Sequence, residues 1–159
     1  MMNRRILLWV LILLALPLRI QAAVPMNMKG TLLALSCKIN NEKPVDVSFG
    51  DAVGVNLVDG VNYRQKLALE IICTDPPGKL LHLKFLGNPT DFDPSAIMTN
   101  IDDLGIRLLK NDKPILINET LPLDNDRLLE FAAVPVKGVG SQLNGGDFHS
   151  KVTLQIVLE

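Results

Sequence analysis

The feature that most constrains this chain is a period-two alternation of apolar residues, repeatedly cut by turn residues. "KLALEIIC" places Leu67, Leu69, Ile71 and Cys73 at every second position. "VDVSF" does the same with Val45, Val47 and Phe49, and "KLLHLKFLG" sets Leu81, Leu83 and Phe85 opposite Leu80, His82, Lys84 and Leu86. The final stretch, "DFHSKVTLQIVLE", puts Phe148, Ser150, Val152, Leu154, Ile156 and Leu158 on one side. This is the period of a strand with one buried face, and no segment carries the helical period. "GTLLALSC" and "RLLEFAAVPV" read as further strands, while "LGIRLLK" and "KPILI" flank Asn111 and Asp112 as a hairpin. "GDAVGVNLVDGVNYRQ", "NPTDFDPSA" and the glycines from Gly138 to Gly146 read as connections. Seven or so short strands in one domain of this size predict an all-β, two-sheet sandwich.

The amino terminus sets the compartment. "MMNRR" is basic, "ILLWVLILLALPL" is apolar, and "RIQA" closes on the small residue Ala22. That is the layout of a secretory signal peptide over residues 1–22. A membrane anchor is the alternative, but the apolar run is short of the ~20 residues a spanning helix needs, and Pro17 and Arg19 interrupt it. The expected mature chain therefore has no membrane span. Cleavage removes Arg4, Arg5 and Arg19 and no acid, so the net charge of −1 becomes −4, and the single tryptophan goes as well. A mildly acidic chain of this kind offers no electrostatic footprint for nucleic acid.

Cys37 and Cys73 are the only cysteines. In an exported chain an even pair reads as a disulfide, with two buried free thiols as the alternative. A zinc site lacks its second pair of ligands. His82 lies on a strand face beside Lys84, and His149 is turned outward if Phe148 is turned inward. No nucleophile elbow or triad pattern is present. Asp102–Asp103 and the "DND" at Asp124 lack the glycine and distal glutamate of a calcium loop. "NET" at Asn118 matches a glycosylation sequon, a short motif that matters only in a glycosylating pathway. No cofactor or metal is expected, and the chain reads as a structural protein and not an enzyme.

A sandwich without a catalytic cluster works through its surfaces and edges. In "AVPMNMKGTL", Val24, Met26, Met28, Gly30 and Leu32 alternate, yet Pro25 and Gly30 both weaken a strand inside its own sheet. The carboxy-terminal strand keeps its apolar face to the chain end. Both edges need a partner, and a strand from another molecule supplies one.

On these stretches the chain resembles the pilin subunits of chaperone–usher fimbriae, with the strongest likeness to minor, tip-located subunits of P-pilus type. The resemblance rests on "VPMNMKGTL", "CKINNEKPVDVSFGD", "VDGVNYRQ" before "LALEIIC", "LGIRLL" and "LNGGDFHSKVTLQIVLE", in that order. Gly146, fourteenth from the end, matches the family's carboxy-terminal glycine. Leu158 stands where the family commonly has an aromatic residue, and "LALS" replaces a proline-containing run before Cys37.

The resemblance implies an incomplete immunoglobulin-like β-sandwich, residues 34–159, whose missing strand is donated. It implies that residues 23–33 are a donor extension with Val24, Met26, Met28, Gly30 and Leu32 as its inserted face, and it matches Cys37 and Cys73 to the family disulfide. Gly146, Phe148, Val152, Leu154, Ile156 and Leu158 are then the groove strand, and the Glu159 carboxylate is anchored by a periplasmic chaperone. The implied partners are that chaperone, an outer-membrane usher and neighbouring pilins, and the implied destination is a surface fimbrium reached through the periplasm. A major rod pilin and a stand-alone exported binding module, for example for carbohydrate, are the alternative roles.

Overall fold

The computed structural model describes residues 26, 28–30, 36–74, 81–123 and 128–158. The chain divides into two units, Met1–Leu33 and Ala34–Glu159. Among the described residues the second unit has nine strands: β1 Ser36–Ile39, β2 Gln65–Thr74, β3 Leu81–Leu86, β4 Ala96–Met98, β5 Leu104–Lys110, β6 Lys113–Pro114, β7 Thr120–Pro122, β8 Leu128–Lys137 and β9 Thr153–Leu158. They form two antiparallel sheets. One runs β1-β2-β8-β5-β4, with β6 also on β5; the other runs β7-β3-β9.

The alternating sequences explain which faces meet. Leu67, Leu69 and Ile71 of β2, Ile106 and Leu108 of β5, and Leu129, Phe131 and Ala133 of β8 point inward from the larger sheet. Leu83 and Phe85 of β3 oppose them from the smaller one. Phe85 and Phe131 meet edge to face across the layers, ring centroids 5.2 Å apart at 77°, an arrangement that adds about 0.5–1.5 kcal/mol beyond the area buried. The hairpin expected at Asn111 and Asp112 forms between β5 and β6, with both residues at positive φ, 51° and 64°. Left-handed geometry at both turn positions matches the twist of the flanking strands.

β8 is buried on both faces, which its unbroken apolar run "FAAVPV" requires. Its outward residues Ala132, Val134 and Val136 form a second cluster with Ala96 and Leu109. The connection between β1 and β2 helps cover it: Gly60 donates to the Pro135 carbonyl at 3.1 Å and Lys137 Nζ donates to the Val55 carbonyl at 3.2 Å. Asp59 tightens this connection. The main-chain N–H of Asn62, then that of Val61, hold its carboxyl below the usual carboxylate range. Pro135 is tolerated in a central strand because β2 pairs only as far as Ala133. The missing N–H thus faces the side where the ladder has already ended.

At Gly105 the strands approach so closely that a Cβ would lie 2.8 Å from Thr90 Cγ2 and 3.0 Å from the Ala96 Cβ. This close approach lets the loop carrying Asp93 fold onto β5, where Arg107 Nε donates to Asp93 Oδ2 at 2.6 Å.

Three strand expectations differ from the structure. Of "KPILI" only Lys113–Pro114 pair, as β6. Residues 45–49, "VDVSF", alternate but join no ladder among the described residues, and residues 148–152 do not extend β9, which begins at Thr153. The last two departures meet where Phe49 packs on Phe148.

Candidate functional site

β9 pairs with β3 along its whole length, from Leu86↔Thr153 to Leu81↔Leu158. Among the described residues nothing pairs with its other edge. Leu154 and Ile156 are only half-buried although they pack on the central core, and so are Val152 and Phe148 upstream of the strand. Thr153 and Gln155 alternate with them and are exposed. A finished sandwich buries such inward residues; here a strip of core remains half-covered.

The other bank of this strip is the segment holding Val47 and Phe49. Both are half-buried against the same core, with Asp46 and Ser48 turned to solvent. Phe49 and Phe148 meet with ring centroids 5.8 Å apart, tilted by 35°. The strip is therefore flanked by β9, whose second edge is unpaired among the described residues, and by an alternating segment that joins no ladder among them. That arrangement is a template for strand addition. A strand laid here gains main-chain hydrogen bonds along β9, and its alternate side chains complete the core.

The disulfide Cys37–Cys73 joins directly opposed residues of β1 and β2. Immediately after β1 the chain turns through Asn40, Asn41 and Glu42, all at positive φ of 48°, 52° and 63°. Three successive left-handed residues with side chains are costly. The disulfide and a 3.5 Å hydrogen bond from Asn41 Nδ2 to Glu70 Oε2 hold this turn on β2. The turn swings the chain out of β1 and into the Val47–Phe49 bank. Replacing Cys37 and Cys73 by serine is expected to cost about 4 kcal/mol, the chain-entropy figure for a loop of this length, read as a lowered urea midpoint with a steeper slope, because the unlinked denatured chain is more expanded.

The remaining expected site residues fall as follows. Met26 and Met28 are 78% and 84% exposed, and among the described residues no heavy atom lies within 4 Å of where a Gly30 Cβ would stand. Val24 and Leu32 lie outside the described residues, as does Glu159. Gly146 adopts φ +150° with open space around it, so its backbone and not crowding asks for glycine. Leu158 takes its place in the β9 ladder opposite Leu81. His149 is exposed and His82 half-buried on the outer face of β3. No group of side chains that could hold a metal occurs among the described residues; Asp124 and Asp126 lie outside them. The Asn118 amide of the sequon is engaged with the Gly87 main chain, accepting from its N–H at 3.1 Å and donating to its carbonyl at 2.9 Å.

Two parts of the site were missed from sequence. Val47 and Phe49 were visible as an alternating pair, but not as one bank of an open strip. Asn100, which fastens residues 147–149, gave no signal at all.

A two-sheet immunoglobulin-like sandwich with a free last strand beside a half-covered core strip is the pilin fold. The model of the fimbrial protein family matches residues 26–158, and the chain belongs to that family. It is 32% identical over 119 residues to the fimbrial-like protein YfcR of Escherichia coli strain K12, covering 72% of this chain and 69% of that one. It is 27% identical over 158 residues to the fimbrial adapter PapF of Escherichia coli, covering 91% and 93%. The solved P pilus adaptor subunit PapF superposes with a TM-score of 0.59 at 25% identity, covering 77% of this chain and 95% of that chain. The P pilus rod subunit PapA shares the fold, with a TM-score of 0.64 at 19% identity, covering 85% and 100%. The protein is a fimbrial subunit, and its family is one of structural proteins.

Proposed function

We propose that this subunit is a minor, adaptor-type pilin that both accepts a strand at the β9 edge and donates one from residues 23–33. The observation that carries this reading is the free edge of β9 beside core residues that the chain's own strands leave half-covered. The match to the fimbrial adapter PapF over nine-tenths of both chains supports the adaptor role. In this reading Gly146, Phe148, Val152, Leu154, Ile156 and Leu158 line the acceptor edge. Val24, Met26, Met28, Gly30 and Leu32 are the face presented to the neighbouring subunit. Residues 1–22 direct export, a periplasmic chaperone covers the strip and anchors the Glu159 carboxylate, and the usher exchanges chaperone for neighbour.

An exposed apolar strip with a free strand edge is an aggregation hazard until covered. Expressed in the periplasm without its chaperone, the protein is expected to aggregate or self-associate. With the chaperone it is expected to elute as a soluble complex of one copy each, as judged by size exclusion and light scattering. A monodisperse monomer that ignores the chaperone overturns the proposal and favours the stand-alone binding module.

A further inference from the structure

β9 offers six residues of ladder, Thr153–Leu158, but the half-covered strip is longer, because Val152 and Phe148 also pack on the core. The main chain between Gly146 and β9 is held by the far end of β4. The Asn100 main-chain N–H donates to the His149 carbonyl at 3.3 Å, and Asn100 Oδ1 accepts from the His149 N–H at 2.7 Å. Asn100 Nδ2 donates to the Asp147 carbonyl at 3.0 Å. Ser150 Oγ adds a bond to the Met98 carbonyl at 2.7 Å. One asparagine thus fixes the backbone on both sides of Phe148, whose ring meets Phe49.

The orientation has a consequence. In an extended chain successive residues turn their main-chain groups to opposite sides. With His149 engaged on Asn100, the N–H and C=O of Phe148 and Ser150 face away from β4. They are then available to a strand approaching from the open side, as those of the free β9 edge are.

We propose that Asn100 is a positioning residue that holds Asp147 to His149 as a continuation of the acceptor edge. The strip thereby takes a strand reaching from Leu158 to Phe148 and not one limited to the β9 ladder. This rests on the strand-acceptor reading above and adds the length of strand that the site selects. The fitting occupant is an alternating apolar segment of about eleven residues, at the strand rise of ~3.3 Å per residue. Residues 23–33 of a second copy of this chain have that length and pattern.

The test uses the full chain complexed with its chaperone and labelled peptides. One peptide is residues 23–33; two seven-residue peptides come from either end of it. With the wild type, the eleven-residue peptide is expected to dissociate at least tenfold more slowly than either short one. Asn100→Ala is expected to remove this advantage, speeding release of the long peptide about tenfold and leaving unchanged the short peptide of residues 23–29, which lies along β9 and not over Phe148. Asn100→Asp, which keeps the acceptor for the His149 N–H and loses the donor to Asp147, is expected to fall between. Equal acceleration of the long peptide and of residues 23–29 in Asn100→Ala shows a general loss of fold and overturns the proposal. So does an unchanged release rate for the long peptide. Capture of none of the peptides by the wild type overturns the strand-acceptor reading beneath it, a result distinct from either.

Discussion

Joining a second copy of residues 23–33 to Glu159 through a tight Asn-Gly turn is expected to convert a self-associating subunit into a stable monomer that no longer needs its chaperone. The turn lets the added segment fold back antiparallel to β9, the pairing a short hairpin connection produces. There its alternate side chains reach the strip left open by Phe148, Val152, Leu154 and Ile156 on one bank and by Val47 and Phe49 on the other. The methionines suit such a site, since an unbranched thioether fills irregular gaps that a branched side chain leaves empty.

The size of the effect follows from linkage. A short connection gives the added strand an effective concentration of about millimolar. With micromolar intrinsic affinity that is about 1,000 times the dissociation constant and stabilises by about 4 kcal/mol. For a domain of this size the corresponding rise in Tm is roughly 10–20 °C. The control is the same copy with aspartate in place of Met26 and Met28, which puts two charges against the core strip and is expected to add no stability. Light scattering and thermal unfolding read both proteins. Equal stabilisation by the charged copy, or continued self-association of the apolar one, rules out strand addition at this edge.

How much of this was legible in the sequence depends on where each residue's partner lies. Leu67, Leu69 and Ile71, and Leu81, Leu83 and Phe85, face the core as their spacing requires, because their partners are strands of the same chain. The Asn111–Asp112 hairpin was legible because a turn is a local event. Val47 and Phe49 alternate as a strand does and yet form no ladder. Alternation reports a buried face, while a ladder needs a second edge, and no described strand supplies that edge. β9 begins at Thr153 instead of continuing the pattern back to Phe148, because Asn100, 49 residues away from His149 in sequence, takes up the main chain there. A polar side chain that binds backbone at such separation leaves no periodic trace. The burial of both faces of β8 depends on the β1–β2 connection lying over it, which the turn-rich "DAVGVNLVDGVNY" did not announce.

Deleting residues 23–28 is expected to leave the sandwich and its capture by the chaperone intact while preventing the subunit from completing its neighbour. The chain divides after Leu33, so the deletion lies wholly within the first unit. The described residues it removes, Met26 and Met28, are strongly exposed and support no core. Stability of the remaining domain is therefore expected to change by less than about 0.5 kcal/mol, the usual range for surface changes. Donation is another matter. The deletion takes Val24, Met26 and Met28 from the proposed inserted face and leaves Gly30 and Leu32. Burial of one such side chain contributes about 1.5–3 kcal/mol, so loss of three weakens insertion by several kcal/mol, or more than 100-fold. Gly30→Leu probes the same face from the opposite direction. Among the described residues nothing lies within 4 Å of its Cβ position, so slowed insertion with an unchanged thermal midpoint locates the effect in the neighbour's groove. Fibre incorporation measured by immunogold labelling, alongside pull-down with the chaperone, separates the two activities. A truncated subunit that still joins fibres at the normal rate places the donated strand elsewhere in the chain; one that loses the chaperone as well shows that residues 23–28 serve the acceptor edge instead.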